Sequence, residues 1–292
     1  MASRSAFHAL FASLLMIAGT ATAHAQEVVG DDTPPAEEPT FFFFTDTSVS
    51  LLPYGMGFEV DPDEQSTITF EHAHASKIGD LFMFVDFTKL HGTPPGADDT
   101  TWYGEFGPRV SLGKMLGKDL SHTFFKRSLF EIKDVLIAAQ YERGEDPDVA
   151  EAALIGVGFD LDVREAGLLG RLGKFNYVQL NFYGRNELTE GTRSGFHDMQ
   201  VTMVASYPFE IGEQQFLVDG YFDWVLGLGS EEDWSYHLNP QITWDMGAAR
   251  GKPGKAYLGI EVDLWWNKYQ IPNSPGFDTN QAAVSLLFKY HF

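Results

Sequence analysis

The chain has 292 residues, no cysteine, and 41 Asp+Glu against 20 Lys+Arg, a net charge of −21. Without thiols there is neither a disulfide framework nor thiolate chemistry, and the acidic balance argues against nucleic acid as a partner, because phosphate binding needs clustered cations. The 25 Phe, 11 Tyr and 6 Trp suit aromatic girdles at a membrane interface, or equally a large soluble β core.

At the N-terminus Arg4 is the only formal charge before Glu27, followed by the apolar run Ala9 to Ala18 and the small-residue site Ala23-His24-Ala25. This predicts a secretory signal peptide over 1–25, cut between Ala25 and Gln26. Its apolar core is too short to span a bilayer, and no later stretch reaches the roughly 18 continuous apolar residues of a membrane helix. Residues 26–40 are acidic, Pro-rich and nearly without core formers, which predicts a disordered lead-in. The remainder, 41–292, reads as one all-β unit.

From Phe41 onward twelve alternating segments stand between turn-rich breaks. They fall near 41–52, 66–74, 78–88, 101–112, 130–142, 149–162, 174–186, 196–207, 214–226, 234–246, 255–267 and 279–292. Twelve is even, as expected of an outer-membrane barrel with both termini on the periplasmic side. The breaks sort by charge. Odd-numbered connections carry Asp61, Asp63 and Glu64; Asp98 and Asp99; Glu145, Asp146 and Asp148; Glu187 and Glu190; and Glu231, Glu232 and Asp233. Three even-numbered ones carry Lys114, Lys118, Lys126 and Arg127; Arg164 and Arg171; and Arg250, Lys252 and Lys255. Two chemically different rims would produce this order, with the acidic one outside the cell. The connection 113–129 is long for a periplasmic turn.

Period two also assigns faces. In the third segment Leu81, Met83, Val85 and Phe87 share one side, and Asp80, Phe82, Phe84 and Asp86 the other. In the fourth, Tyr103, Glu105 and Arg109 oppose Trp102, Phe106 and Val110. In the sixth, Ile155, Val157, Phe159 and Leu161 oppose Gly156, Gly158, Asp160 and Asp162. In the ninth, Phe216, Val218, Phe222 and Trp224 oppose Asp219, Tyr221 and Asp223. In the eleventh, Leu258, Ile260, Val262, Leu264 and Trp266 oppose Tyr257, Glu261 and Asp263. The last segment sets Ala282, Val284, Leu286, Phe288, Tyr290 and Phe292 against Ser285, Lys289 and His291. A Lys or Arg at the lipid midplane costs roughly 2–4 kcal/mol, so the charged faces point inward and the apolar ones to lipid. A soluble sandwich gives similar alternation, but does not readily place Phe82 and Phe84 beside Asp80 and Asp86 on a solvated face. The expected fold is a twelve-stranded antiparallel transmembrane β-barrel in outer-membrane lipid and lipopolysaccharide. Its terminal strand, ending on Phe292, is the element expected to engage the barrel-assembly machinery.

Several runs resemble the Tsx/OmpK-like outer-membrane nucleoside channels. They are Thr69-Phe70-Glu71-His72-Ala73, Gly79 to Asp86, Tyr103 to Leu112 with Lys118-Asp119-Leu120-Ser121, Ile155 to Asp162, and the closing Lys289-Tyr290-His291-Phe292. The similarity runs in order over most of 66–292. It implies a monomeric twelve-stranded barrel that passes nucleosides by diffusion, and, through OmpK-like members, phage attachment at exposed loops.

The inner face fits such a solute chemically. Aromatic faces stack on bases, and carboxylates accept hydrogen bonds from ribose hydroxyls. Glu71, Phe82, Phe84, Asp86, Tyr103, Glu105 and Arg109 are expected to form one part of the track, with Asp219, Tyr221, Asp223, Glu261 and Asp263 on the opposite wall. The alternative is that Glu105 and Arg109 pair with each other merely to fill a narrow lumen. His72 and His74 share a strand face without a third ligand at fixed spacing, which reads as an interfacial pair rather than a metal site. No ordered calcium loop is visible in the acidic breaks, and Gly156-x-Gly158 is no phosphate loop because no helix follows it. Neither a metal nor a cofactor is expected. A barrel enzyme needs a nucleophile–base set, and the sequence offers no Gly-x-Ser-x-Gly elbow. The remaining alternative is a surface receptor or structural barrel.

Overall fold

A computed structural model describes residues 40–122, 130–145, 151–163, 175–188, 195–228 and 233–292. The expected leader, all but the last residue of the lead-in, and the sign-sorted residues Lys126, Arg127, Asp146, Asp148, Arg164, Arg171, Glu190, Glu231 and Glu232 lie outside these ranges.

Twelve strands form, as the alternation predicts: β1 (Phe42–Met56), β2 (Glu64–Ser76), β3 (Gly79–His91), β4 (Thr100–Ser111), β5 (Glu131–Gly144) and β6 (Glu151–Asp162), then β7 (Tyr177–Glu187), β8 (Asp198–Ile211), β9 (Gln214–Val225), β10 (Ser235–Asp245), β11 (Ala256–Trp266) and β12 (Gln281–His291). Each pairs antiparallel with its sequence neighbours, and β1 pairs with β12 from Ser48↔His291 to Met56↔Val284, so the sheet is a closed barrel. The strands are 11–15 residues long, enough to cross a hydrocarbon core at the usual tilt. No described helix is long and apolar enough to cross a membrane.

The structure confirms the assigned faces. On β12 Leu286 is 56% exposed while its neighbour Leu287 is 1% exposed, because one faces out and the other packs inside. Ile68, Phe106, Ile137, Ile155, Val157, Phe182, Met203, Leu258 and Val284 join Leu286 on the exposed outer face. In water such a surface would be a liability; against lipid it is the required one. Inside, Ala138, Ala152, Leu154 and Tyr183 form a small buried cluster on β5, β6 and β7, so part of the lumen is filled by packed side chains.

The shortest connections, 77–78 and 212–213, lie on the same side as both ends of the barrel chain, which identifies that side as periplasmic. The long connection after β4 opens with a one-turn helix, α1 (Leu112–Leu116), capped at Ser111, whose hydroxyl accepts from the Lys114 amide. His72 and His74 face outward near this rim. Their rings hydrogen-bond to each other at 3.2 Å, and His72 Nδ1 lies 2.9 Å from Thr47 Oγ1. Among the described residues no cluster of three metal-binding side chains includes them.

Leu286 sits mid-strand on the lipid face. Leu286→Arg should destabilise the barrel in lipid vesicles by about 2–4 kcal/mol, read from reversible urea unfolding. A loss below about 0.5 kcal/mol, the size of a bland surface change, would show that this face does not meet hydrocarbon.

Candidate functional site: the lumen wall

The inner faces of the twelve strands carry three polar networks. Nearest the periplasm, Arg109 of β4 makes a bidentate pair with Asp80 of β3, both contacts 2.8 Å, and a third bond to Asp160 of β6 at 2.9 Å. A long contact from its Nη1 reaches Asn181 Oδ1 of β7 at 3.5 Å. Only 5% of Arg109 is exposed; every face of the guanidinium fork is engaged, the geometry that makes such pairs strong. Gly158 makes room for this arrangement. A Cβ at that position would lie 2.5 Å from Asn181 Oδ1.

Toward the extracellular side a second network runs from β4 to β9. Tyr103 donates to Glu105 at 2.8 Å, and Gln140 of β5 donates to both Glu105 (2.8 Å) and Glu142 (3.0 Å). Arg185 of β7 donates to Glu142 (2.7 Å), to Gln200 of β8 (2.8 Å) and to Glu187. Thr202 donates to Asp223 of β9. Two carboxylates, Glu105 and Glu142, stand directly across from each other in the ladder. Gln140 and Arg185 make that proximity tolerable.

The third network runs from β3 and β2 across the β1–β12 seam to β9. Lys289 of β12 pairs with Glu71 of β2 at 2.6 Å and donates to Gln241 of β10 at 3.0 Å. Ser48 donates to Glu71, and Gln241 donates to Glu261 of β11, both at 2.8 Å. Thr69 donates to Asp86 at 2.6 Å. His237 bonds Asp263 at 2.9 Å, lies flat on Trp265 at 3.8 Å between centroids, and has Tyr221 at its edge. Charges reach across the lumen: Asp86 interacts with Glu261 and Asp263, and Glu105 with Asp223.

All twelve site residues expected from the sequence lie on the inner face. Phe82, Phe84 and Tyr103 form a staircase, with Phe84 6.0 Å from each of the other two rings. Glu105 is the cross-strand partner of Phe84, and Asp86 that of Tyr103. Phe82 is 47% exposed on an inward-facing position, a bare ring inside the barrel. The expected alternative pairing of Glu105 with Arg109 does not occur. They lie four residues apart on β4 and belong to different networks. Sequence reading missed Gln140, Glu142, Arg185, Gln200, His237 and Trp265. The first four lie on strands whose inner faces mix apolar and polar residues, which blurs the alternation.

It also gave no role to the longest extracellular connection, 267–280, read only as the break before the last segment. After β11 the chain makes a 3₁₀ turn at 268–270 in which Asn267, Tyr269 and Gln270 all have positive φ, 51°, 58° and 59°. For non-glycine residues this costs about 1–2 kcal/mol each. The β-branched Val60, in the facing β1–β2 connection, has φ 73°. Between them Lys268, 4% exposed, donates to Asp61 (2.7 Å), Gln281 (2.7 Å) and the Glu59 carbonyl (3.0 Å). Tyr269 donates to Asp61 at 3.2 Å, while its ring stays exposed in the mouth. On the other side Gln270 donates to Asp198, at the start of β8, at 2.9 Å.

A closed barrel with a lipid-facing apolar exterior and a polar, ring-bearing interior is a pore-type protein of the outer membrane. A family model described as "Nucleoside-specific channel-forming protein, Tsx" matches residues 54–292. The chain belongs to that family and is a channel of the Gram-negative outer membrane for nucleosides or similar small solutes. No curated protein matches it. Among solved structures, the KdgM porin aligns at TM-score 0.40 and 8% identity, over 85% of this chain and 99% of that one. The Acinetobacter baumannii outer membrane protein Omp33 aligns at TM-score 0.35 and 10% identity, over 87% and 100%.

Arg109 balances Asp80 and Asp160 in a nearly dry setting. Arg109→Met should cost about 3 kcal/mol of barrel stability, measured by thermal unfolding in detergent. Adding Asp80→Asn should recover part of that loss, since one stranded charge is removed. No recovery would show that the guanidinium acts through packing alone.

Proposed function

We propose that nucleosides pass along the staircase Phe82–Phe84–Tyr103, with Asp86 and Glu105 receiving ribose hydroxyls and Tyr221, Asp223, Glu261 and Asp263 forming the facing wall. The carrying observation is the alternation of ring and carboxylate across the β3–β4 ladder, Phe84 opposite Glu105 and Asp86 opposite Tyr103. A base stacked on one ring lies one rung from a carboxylate, the same spacing that separates base from sugar in the solute.

The partners divide the predicted residues into two groups. Glu71 is committed to Lys289 and Ser48, and Arg109 to Asp80 and Asp160; both shape the wall. Asp86 holds one neutral donor, Thr69, and Glu105 holds two, Tyr103 and Gln140. A carboxylate has about four acceptor positions, so each keeps room for a hydroxyl. Asp219 faces Lys289 electrostatically and belongs with the wall. Binding on such a track is shallow, about −4 kcal/mol or millimolar per site, which conduction requires. A phosphorylated solute meets carboxylates on both walls and is repelled.

This reading makes the protein a channel and not an enzyme. One serine–histidine hydrogen bond joins Ser66 Oγ and His91 Nε2 at 2.8 Å on the outer face, and the same hydroxyl donates to the Pro53 carbonyl. Among the described residues His91 has no carboxylate hydrogen-bond partner to orient it, the third element that a nucleophile–base pair needs. The chain is read as a monomer, with assembly through the β12 terminus. Phage attachment at the acidic loops remains the receptor alternative.

In planar bilayers adenosine should block single-channel current, and adenosine monophosphate should not at equal concentration. Phe84→Ala and Tyr103→Ala should each weaken the block by about 1–3 kcal/mol, roughly five- to 150-fold, while Glu71→Gln changes conductance more than block. Unaltered adenosine block in both alanine variants would refute the staircase.

A further inference from the structure

We propose that the connection 267–280 is a fixed constriction across the extracellular mouth, with Lys268 as its positioning residue and Tyr269 as the ring past which solute must slide. The proposal rests on the reading of the lumen as a nucleoside track, and adds where selection by size and shape occurs.

Geometry carries it. Lys268 is fastened to the β1–β2 connection at Asp61 and Glu59, and Gln270, two residues on, is fastened to Asp198 of β8. In the barrel order β1-β12-β11-β10-β9-β8 these anchors are five strand steps apart. Along the wall that distance is about 24 Å, whereas the two residues that make the contacts are at most about 7 Å apart along the backbone, their side chains reaching in opposite directions to supply the rest of the span. The turn touches both anchors because it crosses the opening as a chord. The Asp233 amide bonds the Gln270 carbonyl at 3.3 Å, and the Asn267 side chain donates to the Trp234 carbonyl at 3.0 Å, so the chord is tied to the β9–β10 connection as well.

The segment is also braced from within. Asn273 receives the Thr279 amide at 3.2 Å, and the Thr279 hydroxyl donates to the Ile271 carbonyl at 2.9 Å. Three residues in left-handed backbone, facing a fourth at Val60, are a shape that the surroundings must enforce, and such strain gathers where function demands a particular geometry. Lys268 is also a cation on a predominantly acidic rim. It spends its charge inside the clasp, bonded to three oxygens, with its ammonium 5.1 Å from the Tyr269 ring centroid. Tyr269 stands 5.7 Å from Trp265, which itself covers His237. A planar solute leaving the constriction therefore meets aromatic faces at once.

The test uses the full barrel in planar bilayers and in liposomes, comparing Lys268→Met, Lys268→Arg and Tyr269→Gly with the unaltered protein. Releasing the clasp with Lys268→Met should raise single-channel conductance about two-fold and admit sucrose that the unaltered channel excludes in swelling assays. Lys268→Arg should restore both. Tyr269→Gly keeps the turn, since glycine adopts φ near 58° freely, and should relax sucrose exclusion while leaving the clasp intact. It stays informative where Lys268→Met does not fold. Conductance and sucrose exclusion unchanged in every folded variant would overturn the constriction even with adenosine block intact. Absent adenosine block alongside relaxed exclusion would instead overturn the nucleoside track and leave the constriction standing.

Discussion

Closure of the sheet is the constraint on which everything else depends. In hydrocarbon an unpaired backbone amide or carbonyl costs several kcal/mol, so a spanning sheet can have no free edge. Here the seam is β1 against β12, held from Ser48↔His291 to Met56↔Val284. The terminal amide of Phe292 still finds the Thr47 carbonyl at 2.9 Å. Once the ring is closed, the pleat leaves each side chain only two directions, lipid or lumen. Composition must then separate by parity, and the charged residues collect inside because the outside excludes them.

Collecting them creates a second problem, since carboxylates outnumber cations on the inner wall. The arrangement handles this unevenly. Arg109 gathers acids from two other strands, Arg185 pairs with Glu142 of β5 and Glu187 of its own strand, and Lys289 pairs with Glu71, while Gln140 bridges Glu105 and Glu142 and Gln241 links Lys289 to Glu261. Most of these bonds cross between strands, so the networks stiffen the circumference as the ladders stiffen the length. Tyr183 and its apolar neighbours fill one sector.

Much of this was legible in the residue order, for a physical reason. Strand facing is a local property with period two, and a charged residue in lipid is costly enough that Asp80, Asp86, Asp219, Asp223, Glu261 and Asp263 had only one place to go. Pairing was not legible in the same way. Glu105 and Arg109 lie on one strand and face one lumen, yet each bonds to strands whose stagger fixes which acid arrives at which height. Arg185 escaped notice because its strand sets Asn181 and Tyr183 beside it, an inner face without strong alternation of charge. The 267–280 turn escaped because its fold is dictated by anchors far away in sequence, Asp61 and Asp198, and not by its own propensities. The trace it left was a lysine in an acidic rim.

The same logic explains why a channel of this kind tolerates so much buried charge. A lumen of apolar residues would be simpler to stabilise, since buried ion pairs seldom outperform well-packed hydrophobic ones. It would also dewet and shut. Carboxylates already committed to arginine and lysine keep the wall polar without offering tight sites, and those bonded only to hydroxyls or amides, Asp86 and Glu105, offer acceptors of moderate strength. Rings placed between them supply attraction that does not depend on charge. On the proposed track a solute with one flat face and several hydroxyls would find a sequence of nearly equal shallow minima, which diffusion through a long narrow path needs. A single well-formed pocket on the same wall would bind the solute better and pass it more slowly.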